Sequence, residues 1–242
     1  MYSYIGYLFI YLGNDIIDYN SMIKDLEHEK LLRQSISMLT HELKNPICVC
    51  KGYLEMFNFN DISKAHKYLS IITSEINRSK DIIDDFSNYG KLKSIDCEEI
   101  DLKLFFDDIR YIMLPLFKKN NGCLIISNFS NIIINGDYNR LKEVFINLLK
   151  NSIEASRDDT RLVVSIIVKK YRNNVSISIV DNGIGISKEL IGKVTNMFFT
   201  TKEFGTGVGL AFCKEVIELH NGIFNINSDV NKGTTFKIIL PK

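Results

Sequence analysis

The chain has 242 residues, with 30 Lys and Arg against 29 Asp and Glu, and 45% of its residues are hydrophobic. That length allows one or two domains with a sizeable core. The near-balanced charge lacks the basic surplus with which a nucleic-acid-binding protein meets phosphates, so no nucleic-acid partner is expected. The five cysteines (Cys48, Cys50, Cys97, Cys123, Cys213) form no C-x-x-C pair and no framework spacing, which favours reduced thiols in a cytoplasmic protein.

Residues Met1 to Leu12 are apolar and rich in tyrosine, but the run stops at Gly13-Asn14-Asp15. A membrane span needs roughly 20 apolar residues, and a signal peptide needs a basic start. Residues 1–28 are therefore read as an apolar and linker segment. For residues 1–12 a packing role is favoured over peripheral membrane contact. From about Asp15 to Phe57 the pattern is helical, with Leu32, Ile36, Leu39, Leu43, Cys50, Leu54 and Phe57 in three-and-four spacing and Pro46-Ile47 as an interruption. Asn58 to Asp61 is turn-like. The same rhythm resumes at Ala65, Leu69, Ile72, Ile76, Ser79, Ile83 and Phe86. Two long helices across a short turn make an antiparallel hairpin with too little to bury alone, so two copies forming a four-helix bundle is the natural solution.

The polar stretch Lys91 to Glu99 marks a domain boundary, giving residues 29–94 and 95–242 as the two domains. Beyond it the signals mix. Helices are expected over Leu102 to Lys119 and Tyr138 to Ala155, and another ends near His220. Strands are expected over Leu124–Asn128, Leu162–Lys170, Asn174–Val180, Ile223–Ser228 and Thr234–Leu240. The mixture predicts an α+β layer, one sheet with helices on one face.

The chemistry concentrates in a few stretches. Val175, Ile177 and Ile179 alternate with serines, a half-buried strand that delivers Asp181 to a sheet end, and Asp181-Asn182-Gly183-Ile184-Gly185 follows. A carboxylate there, beside glycines that let backbone approach closely, suits an adenine amino group. The run Gly205-Thr206-Gly207-Val208-Gly209 feeds a helix N-terminus, a ready phosphate cradle. Together they suggest a nucleotide site, although either run alone would be an ordinary glycine turn.

On the helix from Tyr138, Asn147, Asn151 and Glu154 share one face, and Leu141, Phe145, Leu148 and Ser152 another. Amide oxygens are hard donors of the kind Mg²⁺ accepts, and Lys150 could reach phosphate. The plainer reading is two asparagines that cap or solvate a helix end. Met197-Phe198-Phe199-Thr200-Thr201-Lys202, between the glycine runs, reads as a lid with Lys202 near the phosphates, one phenylalanine packing and the other gripping. On the first helix, His41 points roughly opposite the seam of Leu39 and Leu43, so it is exposed. An exposed imidazole beside Glu42 can act as a nucleophile whose proton the carboxylate accepts, and Asn45, one turn on, could orient a water. Taken alone, His41 would more often be an ordinary surface histidine.

In this order the stretches resemble the core of bacterial two-component sensor histidine kinases. His41-Glu42-Leu43-Lys44-Asn45-Pro46 looks like the H box and Asn147-Leu148-Leu149-Lys150-Asn151 like the N box. Asp181-Asn182-Gly183-Ile184-Gly185 and Gly205-Thr206-Gly207-Val208-Gly209-Leu210 look like the two glycine boxes, and Phe198-Phe199-Thr200-Thr201-Lys202 like the F box. The resemblance spans about Leu32 to Leu240, and the Lys-Asn-Pro and Asn-Ser-Ile-Glu-Ala forms are most similar to nitrogen-regulation and sporulation kinases.

The resemblance implies a dimerisation and phosphoacceptor hairpin followed by a Bergerat-type (GHKL) α/β sandwich that binds ATP. It also implies that the protein is a homodimer. His41 would take the γ-phosphoryl group of ATP with Glu42 as base, and Asn151 would hold Mg²⁺ with Asn147 and Lys150 beside it. Asp181 would read adenine, and Gly183, Gly185, Phe199, Lys202, Gly205, Gly207 and Gly209 would shape the pocket. The phosphoryl group would pass to an aspartate on a response regulator receiver domain. Asn45 matches the position linked to the reverse phosphatase activity. Thr195-Asn196-Met197 departs from the acidic-Pro pair that often precedes the F box, and Val208 replaces the usual Leu. The short upstream segment leaves no room for a sensor domain or a pair of transmembrane helices, so the expectation is either a soluble orphan kinase or input through a partner or through that segment. A regulator phosphatase using the same hairpin and a non-catalytic ATP-binding scaffold are the alternatives.

Overall fold

The computed structural model describes residues 26, 30, 33, 35–57, 62–92, 94–129, 131–202 and 205–242. The chain divides into two compact units, residues 1–82 and 83–242. The apolar segment 1–12, the expected helix start at Asp15 and the Asn58–Asp61 turn lie outside the described residues.

In the N-terminal unit, helix α1 (35–55) and the first part of α2 (Ile62–Gly90) run antiparallel. Their register is pinned by Tyr53 against Tyr68, with ring centroids 5.1 Å apart, and by the Cys50 thiol 3.7 Å from the Ile72 carbonyl. The interruption expected at Pro46-Ile47 does not occur, and α1 continues through it. Pro46 cannot donate to the carbonyl four residues back, so one backbone bond is lost, and the helix carries on through this buried residue on the bonds either side of it. The expected apolar seam is split. Ile72 is buried, whereas Ile36, Leu54, Leu69, Ile76 and Ile83 face solvent in the single chain, and Ile82, outside the expected seam, is buried instead of Ile83.

The C-terminal unit is built on a five-stranded sheet in the order β2-β4-β5-β7-β6. The strands are β2 (Cys123–Ile126), β4 (Val163–Lys170), β5 (Asn174–Asp181), β6 (Ile223–Asp229) and β7 (Gly233–Pro241). β2 runs parallel to β4 and every other neighbour is antiparallel. Val164, Ile166, Val168, Val175, Ile177, Ile179, Phe236, Ile238 and Leu240 are buried. Helices α3 (Leu102–Lys119), α4 (Tyr138–Glu154) and α6 (Gly209–Leu219) pack in one layer, with α4 in the middle, and the short α5 (Lys188–Ile191) follows β5 in the chain. Phe145 of α4 is completely buried edge-on to Phe105 and Phe106 of α3. Cys213 of α6 is equally buried, its thiol 3.7 Å from the Val144 carbonyl.

Two strands escape the sequence pattern. β1 (Glu98–Asp101) and β3 (Ile133–Gly136) form a separate antiparallel pair. They lead into α3 and α4, whose N-termini are capped by Asp101 and Asp137 through the amides of Lys103 and Arg140. His220 then locks the start of α4 to the end of α6. Its Nε2 accepts from the Asp137 amide at 2.8 Å, which leaves Nδ1 to donate to the Val216 carbonyl at 2.7 Å. These caps and the buried α4 face set where the polar face of α4 points.

Candidate nucleotide and phosphoacceptor sites

β5 ends at Asp181, a residue 4% exposed whose carboxylate takes three donors from the protein. Oδ1 accepts from the amides of Gly183 at 2.9 Å and Thr234 at 3.0 Å, and Oδ2 accepts from the Ser152 hydroxyl at 3.2 Å. Burial pushes the Asp181 carboxyl above the usual carboxylate range, and the three donors pull it part of the way back. The group is thus a fixed acceptor, suited to an amino group that can complete its coordination.

The first glycine run is strapped on both sides. The Ile184 amide donates to the Ala155 carbonyl at the end of α4, and the Asn231 amide donates to the Ile184 carbonyl from the β6–β7 turn. Asn182 ties the run to β4 by accepting from the Val163 amide and donating to the Arg161 carbonyl. Gly185 has φ +72°, and a Cβ there would lie 2.1 Å from the Asp229 carbonyl oxygen, so no other residue fits without rebuilding the turn.

On α4, Asn147 and Asn151 are half-buried and Lys150 is exposed. A Cβ built on Gly209, the first residue of α6, would lie 4.0 Å from Asn147 Nδ2, so the N-box helix and the second glycine run are adjacent. Lys202 reaches the same face. Its Nζ donates to Asn151 Oδ1 at 2.7 Å and pairs with the carboxylate of Glu154. The structure therefore brings Asn151, Glu154 and Lys202 into one cluster. Val208 supplies no side-chain cap to α6, which leaves the first amides of that helix for solvent or an anion.

The segment before α6 is conformationally constrained. Phe198 has φ +61°, rare for a bulky residue, and stacks on Phe86 with centroids 6.2 Å apart. Phe199 is half-buried and its amide donates to the Asn196 carbonyl. Gly205 donates its amide to the Lys202 carbonyl. The Thr206 hydroxyl donates to Asp85 Oδ2 at 2.6 Å. Gly207 has φ +69°, and a Cβ there would meet the Phe198 backbone at 2.4 Å.

In the N-terminal unit, His41 and Asn45 are exposed on one face of α1, as their spacing predicts. Glu42 is half-buried and faces Arg78 of α2 at 3.9 Å. Sequence reasoning missed Arg78, Ser152, Thr234 and the Asp85–Thr206 bond. A hydroxyl on the buried face of α4 is the one signal available for any of them, since a buried polar group needs a partner.

Two family models match. That for the histidine kinase-, DNA gyrase B- and HSP90-like ATPases covers residues 136–242, and that for the His Kinase A (phospho-acceptor) domain covers residues 31–95. Among curated proteins, the chain is 34% identical over 222 residues to sporulation kinase A of Bacillus subtilis (strain 168), covering 90% of this chain and 36% of that protein. It is 29% identical over 241 residues to sporulation kinase B of the same organism, covering 97% and 56%. The chain thus spans about half or less of the length of these relatives. Among solved structures, histidine kinase ThkA in complex with response regulator protein TrrA matches with TM-score 0.77 and 26% identity, over 93% of this chain and 66% of that one. The isolated ThkA catalytic domain matches with TM-score 0.55 and 28% identity, over 61% and 96%.

Proposed function

We propose that this chain, which belongs to the bacterial sensor histidine kinases as a catalytic core, phosphorylates its own His41 from ATP and passes the phosphoryl group to an aspartate of a response regulator. The observation that carries the proposal is Asp181, a nearly buried carboxylate held by Gly183, Thr234 and Ser152 at the mouth of the strapped glycine run. It supports recognition of an adenine amino group, and the uncapped start of α6 and the glycines Gly205, Gly207 and Gly209 support the phosphates.

On this reading residues 29–94 carry the acceptor and dimerisation surface and residues 95–242 bind ATP. The residues present fit Mg²⁺, because Asn151 offers a hard neutral oxygen and its cluster with Glu154 already accommodates a cation. Asn151 would hold the ion with Asn147 and Lys150 beside it, and bound Mg²⁺ neutralises charge on the transferring phosphoryl group. A His41 ring nitrogen attacks the γ-phosphorus. The P–N bond forms as the P–O bond to ADP breaks, and Glu42 takes the proton from the ring. Arg78 keeps the Glu42 carboxylate oriented. A carboxylate oxygen of a receiver-domain aspartate then attacks the phosphorus, the P–O bond forming as the P–N bond breaks and His41 leaves, which accords with the regulator-bound state of the related kinase. The solvent-facing Ile36, Leu54, Leu69 and Ile76 support a homodimer through the hairpin.

A second activity is favoured by one placement. Asn45 is exposed one helical turn from His41, where its amide can orient a water against a phosphorylated regulator. Incubation with γ-labelled ATP and Mg²⁺ tests the main proposal. Acid-labile label is expected on the wild type and absent from His41→Gln, and label that survives in His41→Gln overturns it. Asn45→Ala is expected to abolish regulator dephosphorylation while retaining autophosphorylation.

A further inference from the structure

The cluster on the polar face of α4 joins two groups of opposite destiny. Lys202 comes from the segment after Phe199, and its ammonium sits on Asn151 Oδ1, the oxygen assigned above to the divalent cation. The Glu154 carboxylate, one turn further along α4, closes the other side of the ammonium. Both partners are accessible, with Lys202 39% and Glu154 55% exposed, so the contact can break without a buried charge being stranded. An ammonium and a divalent cation on one amide oxygen would lie within a few ångströms of each other, and the repulsion of their like charges opposes joint occupancy.

We propose that Lys202 is a built-in cation that exchanges with the metal on Asn151, and that Glu154 sets how firmly it is held. Metal-nucleotide loading then requires Lys202 to leave Asn151, and the freed ammonium turns to the phosphates. Glu154 acts in this scheme as a positioning residue for Lys202 and not as a metal ligand. The distinction matters because a carboxylate beside a metal site would ordinarily be assigned to the metal. The inference rests on the kinase reading only for the identity of the incoming ligand. The ammonium–amide–carboxylate contact stands without it.

The test uses the full 242-residue chain. Binding of ADP is titrated calorimetrically at a series of Mg²⁺ concentrations for wild type, Lys202→Met, Lys202→Arg and Glu154→Gln. If Lys202 competes with the metal, the half-saturating Mg²⁺ concentration falls about threefold in Lys202→Met and in Glu154→Gln, the size expected for a half-exposed ion pair, and Lys202→Arg stays near wild type. Acetylation of Lys202 in nucleotide-free protein, followed by mass spectrometry with Lys150 as internal control, is expected to quicken by a similar factor in Glu154→Gln. A half-saturating Mg²⁺ concentration that rises in Glu154→Gln makes Glu154 a metal ligand and overturns the proposal. Unaltered metal dependence and unaltered acetylation overturn it too. A wild-type protein that binds no nucleotide overturns the kinase reading and the exchange together, whereas normal binding with unaltered metal dependence overturns the exchange alone.

Discussion

Ser152 donates to Asp181 Oδ2 at 3.2 Å, joining the buried face of α4 to the last residue of β5. The bond is one of the forces that lower the Asp181 pKa against the larger, raising effect of burial. A raised folded-state pKa means this group's stability contribution is fully present below its ordinary value of 3.8 and is lost as pH rises through the folded one. Mild acid therefore does not unfold the unit through Asp181. It does convert an acceptor into an O–H, so ADP affinity is expected to fall as pH drops through the raised pKa. Ser152→Ala removes a lowering bond and is expected to move that fall to higher pH. Calorimetric ADP titration across pH on both proteins reads the shift, and identical profiles would sink the assignment.

The backbone of Gly207 leads to a second expectation. Gly207→Ala places a left-handed φ on a residue with a Cβ, at a cost of about 1–2 kcal/mol before the clash with Phe198 is counted. If that strain is relieved only by leaving the nucleotide-binding conformation, affinity is expected to fall roughly five- to thirtyfold. Gly192→Ala, where a Cβ meets nothing within 4 Å, is the control and should bind as wild type.

Arg78 allows the two halves of the reaction to be separated. It belongs to the N-terminal unit and faces Glu42, whereas the nucleotide residues belong to the other unit. Arg78→Ala is expected to slow the labelling of His41 about fivefold, the upper end for a half-exposed ion pair, with ADP affinity unchanged. A parallel loss of ADP binding would show that Arg78 acts on the fold instead.

The aromatic cluster under α4 sets the stability of the ATP-binding layer. Phe145 is completely buried edge-on to Phe105 and Phe106, with centroids 5.6 and 5.1 Å away. Phe145→Ala is expected to cost about 3–5 kcal/mol, read as a lowered urea midpoint. A shift under about 1 kcal/mol would mean the core refills the space.

Much of this architecture is legible in the chain because its signals are local. The Val175–Ile179 alternation and the apolar stripe of α4 each lie within one element and repeat at that element's own period. β1 and β3 escaped because Glu98-Glu99-Ile100-Asp101 has a single apolar residue. Its strand character comes wholly from pairing with residues more than thirty positions away. Pro46 misled for the converse reason: the local rule removes one backbone bond, and the helical residues on both sides of it carry α1 through. At the site, the spacing of Asn147, Asn151 and Glu154 correctly put them on one face. Nothing in that spacing says that Lys202 arrives there, nor that Ser152 on the opposite face meets Asp181, because both contacts are made by chain folding back from dozens of residues away. Exposure of His41, a property of one helix and its seam, was readable directly.

Cys213 turns the buried face of α6 into a clock. Its thiol has no exposed surface, lies against the Val144 carbonyl, and is pushed well above the usual thiol range by burial. Cys48 and Cys97, by contrast, are exposed. An alkylating reagent therefore consumes the outer thiols at once and reaches Cys213 only when α4 and α6 part. Its rate of modification reads how much of the intact protein is open, and nucleotide should slow it by a factor of one plus the ratio of free nucleotide to its Kd.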